Sequence, residues 1–315
     1  MGRFAAVDCG TNSIRLLISD NSSGEFVDVV REMRIIRLGE GVDATGEISA
    51  AALERAREAL QDYVTTMKQH GVEAVRMVAT SATRDARNRA DFISMTAQLL
   101  GEIQPGAQAE EITGEEEAKL SFLGAIADLP SDLSPVCVID LGGGSTEFIV
   151  GTRAGEVLAA KSVQMGCVRL TERFMQSDPP VNEEIATARA YVDDRLAEVV
   201  ESVPLADAQA FVGVAGTFTT LSALAQGLEE YDPAYIHGSE LRFDASRILT
   251  QSLIGETAAL RAAHPVIHPG RADVISGGAV VVEEIMSLIS QETGLSQMII
   301  SEKDILDGIV MGLAS

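Results

Sequence analysis

Cysteine is scarce in this chain of 315 residues, and the three present, Cys9, Cys137 and Cys167, give no disulfide framework. Two of them sit in or beside apolar runs, where a free thiol behaves as a small hydrophobe, and this suits a reducing cytosol. Histidine is equally sparse. His237, His264 and His268 have no metal-ligand spacing with cysteine or acidic partners and read as loop residues. Basic residues are outnumbered, 24 against 47 acidic, for a formal net charge of −23 and a pI near 4.5. That balance argues against nucleic acid or an anionic membrane as general partners. No apolar stretch reaches the roughly 18 residues of a membrane span, and the start of the chain has no secretory-signal pattern. A cytoplasmic protein is expected. Low-complexity tracts are absent as well.

What remains is a globular composition, 46% hydrophobic, in a chain long enough for two domains with a core each. The best boundary is Asp128-Leu129-Pro130-Ser131-Asp132-Leu133-Ser134-Pro135, rich in turn formers. It predicts lobes over 1–128 and 134–302, with a helix over about 303–315 offered to the first lobe or to a partner. Residues 1–128 hold 13 basic and 21 acidic side chains, against 11 and 26 in the remainder, so the first lobe is the better guide for a polyanion. Periodicity predicts helices over 53–70, 82–100, 115–127, 181–203 and 271–290, and strands that include 75–80, 136–140 and 211–216. Thr113 with Glu116 is a capping-box pattern. Residues 231–270 carry no clear period. Strands alternating with helices predict an α/β protein with mixed sheets.

The chain contains one duplication. Asp8-Cys9-Gly10-Thr11-Asn12-Ser13 and Asp140-Leu141-Gly142-Gly143-Gly144-Ser145 share the pattern Asp-x-Gly-x-x-Ser, each set between two apolar runs. Such a hairpin directs backbone N–H groups into one concavity that suits phosphate oxygens, while the carboxylates of Asp8 and Asp140 suit a hydrated Mg²⁺. A plain hairpin turn and an Asp capping its own turn fit the same residues. Period-2 spacing puts Arg15 on a face with Ser13, and Glu147 on a face with Ser145. Arg15 reads as a phosphate clamp and Glu147 as a residue orienting water or metal; an Arg–Glu ion pair between lobes is the other reading. Arg84, with Ser81 and Thr83 at the start of a helix, makes an anion site. Arg87 and Arg89 read equally well as a solvated helix face.

The paired hairpins resemble those of the actin-like ATPase superfamily. The finer pattern is similar to one branch, the exopolyphosphatase/guanosine pentaphosphate phosphohydrolase (Ppx/GppA) family. The matching pieces are the two hairpins, Arg37-Leu38-Gly39-Glu40-Gly41, Ala79-Thr80-Ser81-Ala82-Thr83-Arg84, Ile112-Thr113-Gly114-Glu115-Glu116-Glu117-Ala118 and Gly213-Val214-Ala215-Gly216-Thr217. The resemblance implies two ribonuclease H-like lobes with five-stranded mixed sheets flanked by helices and an active site in the inter-lobe cleft. It implies a homodimer that hydrolyses the terminal phosphoanhydride of polyphosphate with Mg²⁺ or Mn²⁺, and it makes Glu117 the general base. On the residues alone, Glu115, Glu116 and Glu117 equally complement a helix dipole. Gly10, Thr11, Asn12, Ser13, Gly142, Gly143, Gly144 and Ser145 would wrap the terminal phosphates, and Gly216 and Thr217 the next ones, though Thr217 also reads as an N-cap. Larger relatives continue into a helical region that this chain lacks, which favours short substrates. Guanosine pentaphosphate is the alternative substrate with the same residues. An actin-type ATP-dependent scaffold and a small-molecule kinase are more distant rivals.

Overall fold

In the computed structural model of the chain, residues 2–130 and 132–313 are described; Met1, Ser131 of the expected linker and the last two residues of the expected C-terminal helix lie outside them. The chain divides into two compact units, one running to Gly124 and resuming at Ile305, the other Ala125–Asp304.

The first unit starts with β1 (Arg3–Cys9), β2 (Ser13–Asp20) and β3 (Val27–Ile35), followed by α1 (Val42–Thr45), α2 (Ala50–Gln69), β4 (Ala74–Ala79), α3 (Ser81–Asp85), α4 (Arg89–Leu100), β5 (Ala109–Glu111) and α5 (Gly114–Ile126). Its sheet has the order β3-β2-β1-β4-β5, antiparallel across the first three strands and parallel across the last three. Ala5, Ala6 and Val7 are wholly buried, so β1 is covered on both faces and reads as a continuous apolar run. Helix α2 begins where Ser49 Oγ accepts the Ala52 N–H (3.2 Å). It buries Ala52, Ala56, Leu60, Val64 and Met67, a stripe at three- and four-residue spacing. Thr113 Oγ1 caps α5 by accepting the Glu116 N–H at 3.2 Å.

The single helix expected over 82–100 is two helices, α3 and α4. Residues 86–88 leave the helix to make tertiary bonds with the 46–48 loop. Arg87 donates its backbone N–H to Gly46 O (2.9 Å), and the Asn88 amide both accepts from the Ile48 N–H and donates to its carbonyl (2.9 Å each). A local helical period cannot register such a competitor.

The second unit repeats the plan with β6 (Val136–Leu141), β7 (Thr146–Gly151), β8 (Val157–Val163), α6 (Cys167–Phe174), α7 (Asn182–Ser202), β9 (Ala210–Val214), α8 (Gly216–Ala225), α9 (Pro233–Ile236), β10 (Glu240–Arg242), α10 (Phe243–Gly255), α11 (Ala258–Arg261), α12 (Ile275–Thr293) and β11 (Gln297–Ile300). Strands β8-β7-β6-β9-β11 reproduce the first sheet's order and directions. This sheet has six strands rather than five, because β10 pairs antiparallel with β11. Three residues are too few to carry a strand period. Helix α10 escaped the sequence reading because two of its buried positions are polar: Ser246 Oγ donates to Arg242 O (2.6 Å) and Thr250 Oγ1 to Glu283 Oε1 (2.6 Å).

The last helix, α13 (Ile305–Leu313), belongs to the first unit. Ile305, Leu306, Ile309 and Val310 bury against Ala6, Leu17 and Val78 of the sheet and against Ile112 and Leu120, so its apolar side is covered by its own unit. A Cβ at Gly308 would lie 2.1 Å from Leu120 O. Gly308→Ala is therefore expected to cost about 1–3 kcal/mol by overpacking. Thermal unfolding would show it, and an unchanged midpoint would contradict this seating of the helix.

Candidate active site

Each duplicated hairpin is closed in the same way. The Gly10 N–H donates to Ser13 O (2.9 Å), and the Gly142 N–H to Ser145 O (3.0 Å). Each is also held from behind by the residues after its third strand. In the first unit, Thr11 O accepts from the Gly39 N–H (2.8 Å), and Asn12 O from the Ile36 and Arg37 N–H groups (3.0 and 2.9 Å). In the second unit, Gly142 O accepts from the Cys167 N–H (3.1 Å), and Gly143 O from those of Val168 and Arg169 (2.9 and 3.1 Å). A peptide is planar and trans, so tying a carbonyl to one side sends the next residue's N–H to the other. The N–H groups of Asn12 and Ser13, and of Gly143 and Gly144, are thereby turned outward from their clamps. That is the arrangement of an anion nest.

Gly10 and Gly142 do not have positive φ. Close approach is the constraint at the glycines that brace the loops: a Cβ at Gly166 would lie 2.2 Å from Gly143 C, and one at Gly39 would lie 2.3 Å from Thr11 Cγ2. Thr11 Oγ1 is buried with no hydrogen-bond partner among the described residues, a donor left over for a ligand.

Register explains the charged positions. Asp8 lies directly across from Arg15, and Asp140 directly across from Glu147. The first pair satisfies itself: Arg15 Nη2 and Nε sit 2.7 and 3.0 Å from Asp8 Oδ2. Arg15 is thus paired inside its own unit. The second pair is two carboxylates, 7% and 1% exposed, at neighbouring cross-strand positions. Like charges so placed repel, and burial sharpens the cost. Ser162 Oγ donates to Glu147 Oε1 at 2.7 Å. Among the described residues, no group of three or more His, Cys, Asp or Glu is placed to ligate a metal. Asp140 and Glu147 fit the modest protein share that Mg²⁺ asks for, one or two carboxylates beside phosphate oxygens and water.

Of the three glutamates opening α5, Glu115 and Glu116 are exposed and Glu117 is buried. Glu116 is occupied at the surface by Arg76 (2.7 Å). Arg84 Nη1 donates to Glu117 Oε2 (2.7 Å) and to Ile112 O (3.0 Å), fixing the carboxylate against the strand end that precedes its helix. Arg84 is the fourth residue of the five-residue α3, which begins at Ser81. Arg87 and Arg89 are exposed and pair with Glu47 (3.4 Å) and Glu111 (3.0 Å); Arg89 opens α4, while Arg87 lies in the break between the two helices.

At the end of β9, Ala215 has φ 71° and ψ 172°, a region nearly reserved for glycine and worth about 1–3 kcal/mol of strain. It delivers Gly216 and Thr217 to the start of α8, where no side chain caps the helix. A Cβ at Gly216 would fall 1.4 Å from Arg271 Nη1, so that guanidinium lies directly on the glycine. Arg271, Gly166 and Arg169 were not picked out from the sequence, since neither spacing nor charge pattern marks them; only the packing does. Burial pushes the Cys9 and Cys137 thiols up, and that of Cys167 to about 11, so none is a thiolate nucleophile at neutral pH.

This geometry can be set beside known proteins. Exopolyphosphatase 2 of Mycobacterium tuberculosis is 53% identical over 316 residues, covering 99% of this chain and 98% of its own. A solved exopolyphosphatase-like protein superposes with a TM-score of 0.92 at 39% identity, over 99% of this chain and 98% of the other. The Ppx/GppA member of Aquifex aeolicus gives 0.78 at 28% identity, over 99% and 97%. Residues 17–315 match the Ppx/GppA phosphatase family, and with these likenesses over nearly the full length the chain belongs to it.

Proposed function

We propose that the protein is an exopolyphosphatase that removes terminal orthophosphate from short inorganic polyphosphate with the help of Mg²⁺. The observation that carries this reading is the pair of identically closed hairpins whose carbonyls are tied back so that their N–H groups turn outward. The full-length likeness to an exopolyphosphatase supports the choice of substrate.

In this reading the loops of residues 10–13 and 142–145 hold phosphate oxygens, through outward N–H groups that include those of Asn12, Ser13, Gly143 and Gly144, and stabilise charge as it spreads in the transition state. Thr11 Oγ1 adds a donor, and Gly216 and Thr217 take phosphates further along the chain. Arg15, steadied by Asp8, supplies positive charge. Glu117, held by Arg84, accepts a proton from water as its oxygen bonds to the terminal phosphorus. The anhydride P–O bond breaks, its electron pair stays on the shortened chain, and orthophosphate is released. Asp140 and Glu147 would hold the Mg²⁺, which supplies neutralisation of phosphate charge. The reading is of a cytoplasmic homodimer; among the described residues no helix is long and apolar enough to cross a membrane.

The test is orthophosphate release from tripolyphosphate, longer polyphosphate and guanosine pentaphosphate, with Mg²⁺ and with chelator. Release from short polyphosphate, abolished by chelation, is expected. A rate confined to the guanosine substrate would transfer the assignment to that reaction. Phosphate transfer from ATP to an acceptor would remove hydrolysis altogether.

A further inference from the structure

The loop at Gly142–Ser145 is held by more than backbone. Arg169, 9% exposed in the first turn of α6, donates from Nε to Gly144 O at 2.8 Å. With the α6 amides on Gly142 O and Gly143 O, three successive carbonyls of the loop are tied down on one side. The third tie determines where the Ser145 N–H points, by the same planarity that orients Gly143 and Gly144. In the first unit, the ties on Thr11 O and Asn12 O come from backbone N–H groups.

Burying a guanidinium is costly, and its neighbours Val168 and Leu170 show that the stretch has room for apolar side chains. A donor at this depth is directional in a way that packing is not. We infer that Arg169 is a positioning residue for the phosphohydrolase reaction, aiming the Gly144–Ser145 peptide so that the Ser145 N–H meets a phosphate oxygen. The inference rests on the reading of this loop as a phosphate site, and it adds a side chain outside the duplicated motif to the machinery.

Two substitutions separate aim from bulk. The side-chain nitrogen of Arg169→Gln stands the same number of bonds from the backbone as the arginine Nε, so it keeps a donor for Gly144 O. Arg169→Met fills similar space without one. Turnover of tripolyphosphate is expected to fall about 10²-fold in Arg169→Met, the scale of an ångström-sized misplacement. Arg169→Gln should stay within about tenfold of wild type, since the bond is kept. Crystal structures should show the Gly144 carbonyl turned in Arg169→Met and retained in Arg169→Gln. Equal losses in the two variants, or an unmoved carbonyl in Arg169→Met, would overturn the inference. Should Arg169→Met fail to fold, Arg169→Gln decides alone: a turned carbonyl or a collapse in rate sinks it. If the wild type splits no phosphoanhydride, the functional reading fails, while the carbonyl orientation still answers whether Arg169 aims the loop.

Discussion

Glu117→Gln is expected to cut turnover of short polyphosphate by about 10²–10⁴ while leaving KM nearly unchanged. The substitution preserves shape, and the amide oxygen can go on accepting the Arg84 Nη1 donor that holds the carboxylate at 2.7 Å. What is lost is basicity. A water attacking phosphorus then has no group to take its proton at that position, but the loops that bind phosphate are untouched. The pattern to look for is a fall in kcat and kcat/KM together, the signature of an interaction made only in the transition state. Substitution of Glu115 or Glu116, both exposed, should leave turnover within a few-fold, as surface changes generally do. A near wild-type rate in Glu117→Gln would remove Glu117 from the mechanism. Equal losses at all three glutamates would return them to a shared helix-dipole role.

The second large effect is expected at Gly166→Ala, far from any sequence motif. The added methyl would sit 2.2 Å from Gly143 C, 2.3 Å from Gly143 O and 2.4 Å from Gly144 N. These are backbone atoms of the loop itself, so relief requires the loop or the start of α6 to move. A shift of that size breaks the alignment of the N–H groups and should lower turnover by about 10²-fold or more. Overpacking should also cost about 1–3 kcal/mol of stability. Gly255→Ala is the control, since a Cβ there meets nothing within 4 Å. It should leave rate and melting temperature close to wild type. Full activity in Gly166→Ala would mean that this loop does not bind the reacting phosphates.

Legibility differed sharply between elements. The hairpins were readable because a central strand covered on both faces is a bare apolar run, as in Ala5-Ala6-Val7 or Val138-Ile139, and the Asp-x-Gly-x-x-Ser turn interrupts it twice. Helix α2 was readable because its buried stripe is uniformly apolar. Helices α6 and α10 were not, because the stripe of one includes Arg169 and that of the other Ser246 and Thr250. Arg169 and Thr250 are satisfied by partners remote in sequence, Gly144 and Glu283, and Ser246 by the Arg242 carbonyl one turn back. The break at residues 86–88 hid for a similar reason, since its bonds run to the 46–48 loop.

The order of residues along the chain is enough to establish the duplication, the α/β class and the phosphate chemistry, because each depends on neighbours within a few positions. Tertiary structure decides the rest. Only folding shows that Asp8 is matched by an arginine while Asp140 faces a second carboxylate, that Arg84 reaches Glu117 across 33 positions, and that Gly166 and Arg169 brace the glycine loop from behind. Those relations join residues distant along the chain, and the forces that make them, strand register, burial of charge and steric contact, act through space.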